Sequence, residues 1–395
     1  MLNPSTQRAY DVIVVGGRCA GASTAMLLAR RGHDVLVLDR TSLPSDTLST
    51  HSIARGGAVQ LQRWGLLDAV VASGAPPLRR VVFHAGGTSV ARQIKDRAGV
   101  DLAVAPRRRI LDGILADAAT AAGADLATRV RVDGTSRADD GRVTGIYGRA
   151  EEGPVELRAR FVIGADGVRS RIARSVGAWT LLSRRPSGAT HYGYFAGPQW
   201  DGIEYFLGDR SFSGIFPTHH GDACIWVCLP AEDAAKLRQP GEPTDVTFDR
   251  MIHHASPHLA ERLQDAQRTS AMRGASGLPN HILQATGPGW ALVGDAGYHR
   301  DPITGHGITD ALRDAELLAD AVDATLSGAQ EETVAMAAYQ DQRDRMIRPI
   351  FDLTYQLGRF PDAARFVELQ RELSHAIDAE ATELAERPLP LTPVT

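Results

Sequence analysis

Residues 11–40, DVIVVGGRCAGASTAMLLARRGHDVLVLDR, constrain the fold more than any other stretch of the chain. An apolar, β-branched run at 12–15 leads into a glycine turn, and small or apolar residues then recur at helical spacing as far as Gly32. A second apolar run at 35–38 ends in Asp39. The stretch therefore predicts strand, glycine turn, helix and strand, which is the first unit of a parallel α/β sheet.

The glycine turn is typical of dinucleotide binding, with one departure. Gly16 permits a tight turn and Gly21 lets the helix pack closely on the strand. Asp39 lies 23 residues after Gly16 (39 minus 16), where an acid holds a ribose. Arg18 occupies the middle position, which normally needs a small residue because pyrophosphate approaches the backbone there. Either its side chain swings outward and faces a phosphate, or Arg18 is a surface residue in a degenerate turn.

The composition predicts a globular cytoplasmic protein. A chain of 395 residues with 43% hydrophobic content can bury a large core and is long enough for two or three domains. A net charge of −4 argues against a nucleic-acid partner bound through a basic surface. We expect no signal peptide and no membrane insertion, because the N-terminus is polar and no apolar run approaches transmembrane length. Three cysteines without paired spacing fit a reducing compartment.

The pattern of apolar and aromatic residues changes twice along the chain. Aromatic alternating segments such as THYGYFAG and GIEYFLG predict an antiparallel sheet, whereas GWALVGDAG returns to a buried strand before a long helical third. We expect an α/β fold in which a Rossmann-like domain with a parallel sheet is interleaved with an antiparallel substrate domain and followed by a helical C-terminus. The expected boundaries are 1–75, 98–180 and 284–330 for the Rossmann-like domain, 76–97 and 181–283 for the substrate domain, and 331–395 for the helical region.

Two distant strand ends carry an acid beside a glycine, in FVIGADG and WALVGDAG, and the glycine-rich DPITGHGITDAL follows the second. The residues concerned are Asp166, Gly167, Gly294, Asp295, Pro302, Gly305 and Gly307. Together with 11–40, these segments resemble in order and spacing the FAD-dependent aromatic hydroxylase superfamily, the group A flavoprotein monooxygenases. That superfamily includes para-hydroxybenzoate hydroxylase and, more distantly, geranylgeranyl reductases and flavin halogenases. The resemblance spans roughly residues 10–320.

The resemblance implies noncovalent FAD. It places the pyrophosphate on the first glycine loop, the adenosine ribose on Asp39 and the adenine beside Val130. It puts Arg108 near the cofactor, although Arg107 is one residue away, and it assigns the ribityl hydroxyls to the Asp295 carboxylate. The cofactor-binding residues that it implies are Gly16, Gly17, Arg18, Cys19, Ala20, Gly21, Asp39, Arg40, Arg108, Val130, Asp166, Gly167, Gly294, Asp295, Pro302, Gly305, Gly307, Ile308 and Thr309.

The loop from Pro302 to Thr309 has a physical role in this resemblance. Gly305 and Gly307 let backbone approach the flavin ring, and the following helix directs free N–H groups and its positive end at the edge where reduced flavin is negative. The arrangement stabilises the reduced cofactor. Tyr298 and Thr309 stand where the superfamily commonly has histidine and asparagine, and both retain hydrogen-bonding groups.

Candidate catalytic and substrate residues are fewer. His51 and His306 fall in segments that this fold brings near the flavin, and each is a candidate either for proton transfer or for a hydrogen bond to cofactor or backbone. No histidine spacing is typical of zinc, so no metal is expected. The aromatic sheet supplies the candidate substrate residues, some of which could instead be core. They are Tyr194, Phe206, Phe216 and Pro217.

The resemblance implies a single-component monooxygenase. In such an enzyme NAD(P)H transiently docks and reduces FAD, molecular oxygen forms a C4a-hydroperoxide, and one oxygen atom passes to a small aromatic or apolar substrate. The main alternative is an FAD-dependent reductase of a carbon–carbon double bond, as in geranylgeranyl reductases. A halogenase is less favoured because the WxWxIP segment is absent, and a non-catalytic flavin-binding protein is a further alternative. Substrate identity, reductant preference and oligomeric state do not follow from the sequence.

Overall fold

The computed structural model describes residues 9–49 and 51–390. Its helices are α1 (Cys19–Ala29), α2 (Arg55–Arg63), α3 (Leu67–Ala72), α4 (Arg108–Ala121), α5 (Arg171–Val176), α6 (Ala231–Leu237), α7 (Thr244–Ala255), α8 (Pro257–Arg262), α9 (Gly307–Leu326), α10 (Glu332–Leu357) and α11 (Ala363–Glu386). Short 3-10 turns occupy His219–Gly221, Leu263–Asp265, Gly294–Ala296 and Pro302–Thr304.

The strands form three sheets. They are β1 (Ala9–Val15), β2 (Val35–Leu38), β3 (Arg80–Ala85), β4 (Thr88–Gln93), β5 (Asp125–Ala127), β6 (Arg131–Arg137), β7 (Val143–Ala150), β8 (Gly153–Gly164), β9 (Thr180–Arg184), β10 (Gly188–Ala196), β11 (Ile203–Gly208), β12 (Ser211–Pro217), β13 (Ala223–Pro230), β14 (Gln267–Arg268), β15 (Arg273–Ser276), β16 (Asn280–Leu283), β17 (Thr286–Gly287), β18 (Trp290–Leu292) and β19 (Tyr298–His299).

The first sheet is built around the parallel pair predicted from 11–40. Its strand order is β17, β18, β8, β1, β2, β5, with β7 and β6 added to β8 as an antiparallel extension. Val14 of β1 pairs in parallel with Val37 on one side and Ile163 on the other. The carboxyl ends of the parallel strands β1, β8 and β18 lie side by side. Each leads into one of the three glycine turns, so the sheet brings these turns to one edge.

The second sheet is antiparallel except where β3 pairs with β11. Its order is β14, β10, β13, β12, β11, β3, β4, with β15 also on β10. Because side chains alternate along a strand, the sheet has two buried faces. One face, which includes Tyr194 and Phe216, packs against α10 and α11. The other, which includes Phe195 and Phe206, packs against α7 and α8.

The C-terminal helices connect the two sheets. α9 packs against α1, α10 packs against α9, and α11 packs against both α10 and α2. The third sheet, of β19, β16 and β9, lies beside α10 through the cluster of Ile282, Tyr298 and Phe351. The predicted α/β fold with an interleaved antiparallel sheet and a helical C-terminus is confirmed. Across 9–49 and 51–390, no helix combines the length and apolar character needed to cross a membrane.

Candidate functional site

The first glycine turn admits no side chain at two positions. A Cβ on Gly16, where φ is +108°, would lie 2.3 Å from the backbone oxygen of Ala165. A Cβ on Gly21 would lie 1.7 Å from the Gly16 oxygen. Both distances are far inside contact distance, so glycine is required for the turn and for the close approach of α1. The side chain of the N-cap residue Arg18 makes no capping hydrogen bond to α1, and the positive end of such a helix suits an anion such as a pyrophosphate.

Asp39 binds the protein's own backbone. Its Oδ2 accepts a hydrogen bond from Gly17 N at 2.9 Å, and its Oδ1 accepts from Thr41 N and Oγ1, both at 2.8 Å. Val130 N donates to the Asp39 carbonyl at 2.9 Å, and Val130 is buried, whereas Arg40 is exposed. Asp39 thus ties the glycine loop to β2 and to the chain beside β6, and its contact with a ribose stays a prediction.

Arg18 has protein partners. Its Nη1 donates to Ser45 O at 2.9 Å and to Asp112 Oδ2 at 2.8 Å, and its Nη2 donates to Ser45 Oγ at 2.8 Å. Both guanidinium Nη atoms therefore already have protein partners, and a contact of Arg18 with a phosphate stays a prediction. The side chain leaves the loop and pairs with α4, which explains how an arginine fits where the backbone must stay accessible.

Asp112 connects this ion pair to the rest of the site. Its side chain is fully buried and also accepts from Arg108 Nη2 at 2.9 Å and from Cys19 Sγ at 3.2 Å. Burial raises the pKa of the Cys19 thiol, so Cys19 stays protonated and acts as a donor. The sequence analysis missed Asp112. The spacing of Arg108 and Asp112, one helical turn apart, was the available signal.

The second glycine turn is organised by Asp166. Its Oδ2 accepts from Arg171 N at 2.6 Å and its Oδ1 accepts from Ser170 Oγ at 2.5 Å, so it caps the start of α5. Gly167 adopts φ of +82°, in the region that favours glycine. These contacts give Asp166 a structural role. Its contact with cofactor or reductant stays a prediction.

The third turn joins the first turn to α9. A Cβ on Gly294, where φ is +58°, would lie 2.9 Å from Ala20 Cβ and 3.6 Å from Ala311 Cβ. The third turn, the start of α1 and the start of α9 therefore meet at this glycine. Asp295, next to it, is exposed, so its carboxylate is accessible to a ligand. The Asp295 charge acts on Arg108 across the same space.

The loop at 302–309 leaves open space. Gly305 adopts φ of +64°, and a Cβ on Gly305 or Gly307 would meet no atom of the described residues within 4 Å apart from its chain neighbours and its own helix backbone. The side chain of the N-cap residue His306 makes no capping hydrogen bond to α9, and Ile308 and Thr309 are buried. Pro302 opens the preceding turn and its neighbour Asp301 caps that turn through Ile303 N at 3.0 Å. Open space beside two glycines and free helix N–H groups fit the flavin ring of FAD.

His51 forms a buried cluster with the second sheet. It adopts φ of +63°, an uncommon conformation that is found at functional sites. Its Nε2 is hydrogen-bonded to Tyr194 Oη, and its Nδ1 lies 3.8 Å from Cys224 Sγ. Burial, followed by the charges of Arg108 and Arg107, lowers the pKa of His51 to about 3, so the imidazole is neutral. Burial raises the pKa of Tyr194 above its usual value, so the phenol is also neutral.

The four candidate substrate residues divide between two faces of the sheet. Tyr194 and Phe216 share the face that carries Trp226 and meets α10 and α11. Phe206 lies on the opposite face, stacked on His84 with ring centroids 4.4 Å apart. Pro217 follows Phe216 and by strand alternation also points away from it. Tyr194 and Phe216 could therefore line one cavity without Phe206 and Pro217, and the assignment of these four residues to a substrate stays a prediction. The sequence did not reveal which face of β11 and β12 meets the site.

His306 belongs to a buried charged cluster behind the 302–309 loop. Its Nε2 lies 2.6 Å from Glu380 Oε2. His306, Asp310 and Glu380 each offer a possible metal ligand within 4.8 Å of one another. Arg313 already donates to Asp310 at 2.8 Å and to Glu380 at 2.5 Å, so these carboxylates have their counter-ion. The sequence analysis missed Glu380, because 74 residues separate it from His306.

Residues 9–354 match the family described as the FAD binding domain. The chain belongs to this family. It is an FAD-dependent oxidoreductase, and FAD is its cofactor. The superfamily identified from the glycine turns is thereby confirmed.

Known relatives of similar fold perform different reactions. Digeranylgeranylglycerophospholipid reductase of Methanocella arvoryzae is 25% identical over 351 residues, covering 88% of this chain and 86% of the relative. PqsL of Pseudomonas aeruginosa, a probable FAD-dependent monooxygenase, superposes with a TM-score of 0.77 and 22% identity over 94% of this chain and 100% of its own. The myxobacterial chondrochloren halogenase CndH superposes with a TM-score of 0.79 and 21% identity over 98% of each chain. The two structural matches establish the fold, and the reaction has to be argued from the site.

Proposed function

We propose that this protein is a single-component NAD(P)H-dependent monooxygenase that hydroxylates a small aromatic or apolar substrate. The observation that carries the proposal is the buried, neutral His51–Tyr194 pair on the aromatic face of the second sheet. A phenol that donates to a neutral imidazole presents its own oxygen as an acceptor in an apolar compartment, and so can orient a substrate. An aromatic ring that bears a hydroxyl or an amine can donate to this oxygen, whereas a purely isoprenoid chain has no donor for it.

In this proposal the N-terminus of α1 binds the FAD pyrophosphate, Asp39 binds the adenosine ribose and Asp295 binds the ribityl chain. The backbone at Gly305 and Gly307 lies along the flavin ring. When bound, FAD accepts hydride from NAD(P)H and activates molecular oxygen. The reductant docks transiently, since the chain carries one glycine fingerprint of the dinucleotide-binding kind.

The chain's own residues orient the substrate and exclude water. Tyr194 Oη is hydrogen-bonded to His51 Nε2. In this proposal the phenol is the donor, so its oxygen remains an acceptor for a substrate hydroxyl or amine. Arg107 lies over the Tyr194 ring, 3.6 Å from its centroid, and holds the ring in place. Trp226, Phe216 and Cys224 belong to the same apolar cluster as Tyr194, and Cys224 Sγ lies 3.8 Å from His51 Nδ1, so apolar surface helps to exclude bulk water from the pair.

Reduction of a carbon–carbon double bond is the second candidate. The observation that favours it is the 25% identity with an archaeal digeranylgeranylglycerophospholipid reductase over 88% of this chain. A prenyl reductase also needs an apolar site beside a flavin, and the face with Trp226 and Phe216 is apolar. The two candidates differ in their use of oxygen, which makes them separable by experiment.

The test is oxygen uptake by the FAD-loaded protein with NAD(P)H and a panel of phenols, aminoaromatic acids and isoprenoids. We expect one aromatic class to stimulate NAD(P)H oxidation and oxygen uptake together, with a hydroxylated product. Tyr194→Phe should lower this rate about a hundredfold. Tyr205→Phe, the same change at a partly buried ring that stacks on Phe212 in the same apolar cluster, should not. Anaerobic reduction of an isoprenoid without oxygen uptake would overturn the proposal in favour of the reductase.

A further inference from the structure

Helix α11 lies beyond residue 354, where the match to the FAD binding domain family ends. It nevertheless reaches the loop proposed to hold the flavin. Glu380 of α11 is buried, and its Oε2 lies 2.6 Å from Nε2 of His306, the residue between Gly305 and Gly307. Its Oε1 accepts from Arg313 Nη1 at 2.5 Å. One carboxylate from the C-terminal helix therefore holds the first turns of α9 at two points.

The surroundings of Glu380 leave it little freedom. Arg313 also donates to Asp310 and to Asp314, both at 2.8 Å, and Arg300 pairs with Asp310. These side chains are at most 4% exposed. Although burial alone would raise the pKa of Glu380, His306 and Arg313 hold it well below its usual range. Buried charges of this kind stay in place because each would be strongly destabilised without its partner.

The rest of α11 fixes the position of Glu380. Near its start, Phe366 packs on Phe212 of the aromatic sheet face, with centroids 5.1 Å apart. Near its end, Leu384 lies in the core around α1. Between them, a Cβ on Gly56 of α2 would lie 3.4 Å from Glu380 Oε2. The helix is thus anchored on both the substrate sheet and the first sheet's core, and it delivers the carboxylate to His306 from a rigid support.

We propose that Glu380 is a positioning residue that acts through His306 to hold the backbone at Gly305 and Gly307 against the flavin ring. On this view, α11 is part of the cofactor site although it lies outside the family match. The inference rests on the proposed placement of residues 302–309 at the flavin. It assigns Glu380 no direct contact with FAD.

The test compares Glu380→Gln with Glu383→Gln in the full-length protein. Glu383 is on the same helix, 42% exposed, and pairs with Arg345 at 3.0 Å, so the control removes a surface carboxylate by the same change. We expect E380Q to bind FAD at least about tenfold more weakly and to lower the midpoint potential of the bound flavin, because misplaced N–H groups stabilise the reduced form less. E383Q should match the wild type in FAD affinity and in midpoint potential.

The direction in which the midpoint potential of the bound flavin changes in E380Q distinguishes a positioning role from a direct effect of the Glu380 charge. If the Glu380 carboxylate acted only as a nearby negative charge, its removal would raise the potential, and that result would overturn the proposal. Unchanged affinity and potential in E380Q would overturn it as well. His306→Gln should reproduce the loss, and the double variant should add little to either single change. Additive losses would show that Glu380 does not act through His306.

Two further outcomes are decisive. If E380Q does not fold, His306→Gln carries the test, and normal FAD affinity in that variant overturns the proposal. Gly307→Val separates this inference from the proposed site. Loss of FAD in G307V with wild-type behaviour in E380Q would refute only the role of Glu380, whereas wild-type FAD binding in both would refute the placement of the loop.

Discussion

The glycines at 16–21 and those at 302–309 occupy positions of opposite kind. A side chain on Gly16 or Gly21 would strike backbone oxygen at 2.3 or 1.7 Å, whereas a Cβ on Gly305 or Gly307 would meet no atom of the described residues within 4 Å apart from its chain neighbours and its own helix backbone. The first loop needs glycine so that the fold can close. In the second loop Gly305 needs glycine for its positive φ, whereas Gly307 lies beside open space without such a need, and we propose that a bound molecule is the constraint at Gly307. The contrast distinguishes a glycine that serves the fold from one that serves a ligand.

The two loops also differ in what holds them. The first is fixed by neighbours in its own βαβ unit, such as Asp39, which accepts from Gly17 N at 2.9 Å. The second is held by Glu380 of α11, which is hydrogen-bonded to His306 and accepts from Arg313 of α9. A local loop forms as the first sheet forms, whereas the second loop depends on the packing of the C-terminal helices. The following predictions test this contrast.

The largest effect is expected for Gly21→Ala. The added Cβ would lie 1.7 Å from the Gly16 oxygen, so α1 must move away from β1, at a cost of at least about 3 kcal/mol in the free energy of unfolding. Gly113→Ala in α4 is the control, since its Cβ would lie at 3.5 Å from Pro44, an ordinary contact. Urea unfolding of both apo-proteins measures the difference. Equal stability of G21A and wild type would show that Gly21 does not serve the fold.

Gly307→Val should weaken FAD binding and leave the stability of the apo-protein unchanged. Because a Cβ at position 307 meets no described residue within 4 Å outside its own chain neighbours and helix backbone, the apo-protein should unfold at the wild-type urea concentration. FAD affinity should fall at least about a hundredfold, because the side chain fills space that the flavin needs. Gly307→Ala should give a smaller loss. Fluorescence titration of apo-protein with FAD provides the affinities. A destabilised apo-protein with normal FAD binding would show that Gly307 serves the fold and not a ligand.

A moderate effect on pH dependence is expected for His51→Asn, a change that tolerates the positive φ of His51. The pKa of His51 is about 3 in the folded protein, below its ordinary 6.5. Between these values the unfolded chain binds a proton that the folded protein does not, so His51 makes stability fall as pH is lowered, by about 1.4 kcal/mol per pH unit. H51N should show a correspondingly shallower fall in urea unfolding between pH 6.5 and 4.5. Parallel curves for the two proteins would mean that His51 is not held neutral.

The smallest effect is expected for Arg18→Gly. Arg18 is 23% exposed and pairs with Asp112, so its loss should cost about 1 kcal/mol of stability. Because both Nη atoms have protein partners, the salt dependence of FAD affinity should stay as in the wild type. A clearly weaker salt dependence in R18G would show that Arg18 also meets a phosphate.

The sequence predicts this fold well where the signal is local. Gly16, Gly21 and the apolar runs beside them lie within one βαβ unit. Neither position has room for a Cβ, and the sequence shows this requirement directly as glycine. Gly294 and Gly305 could be placed through their order and spacing relative to that unit. Each adopts a positive φ in the structure, which is the physical reason for glycine at these positions.

Long-range contacts escape the same reasoning. Asp112 lies 94 residues from Arg18, and Glu380 lies 74 residues from His306, so neither pairing leaves a periodic pattern. Phe206 and Phe216 alternate correctly in their strands, yet which face meets the site depends on how the sheet packs on α10 and α11. Sequence patterns identify a buried strand, and tertiary packing decides what each face serves.

The most direct test of the proposed function uses isotopically heavy molecular oxygen. We would incubate the FAD-loaded protein under the labelled gas with NAD(P)H and an aromatic substrate that stimulates turnover. The mass of the product is then measured by mass spectrometry. We predict a product that carries one labelled oxygen atom, with labelling lost in parallel with activity in Tyr194→Phe. An unlabelled product that has gained two hydrogen atoms would contradict the monooxygenase proposal and establish a reductase.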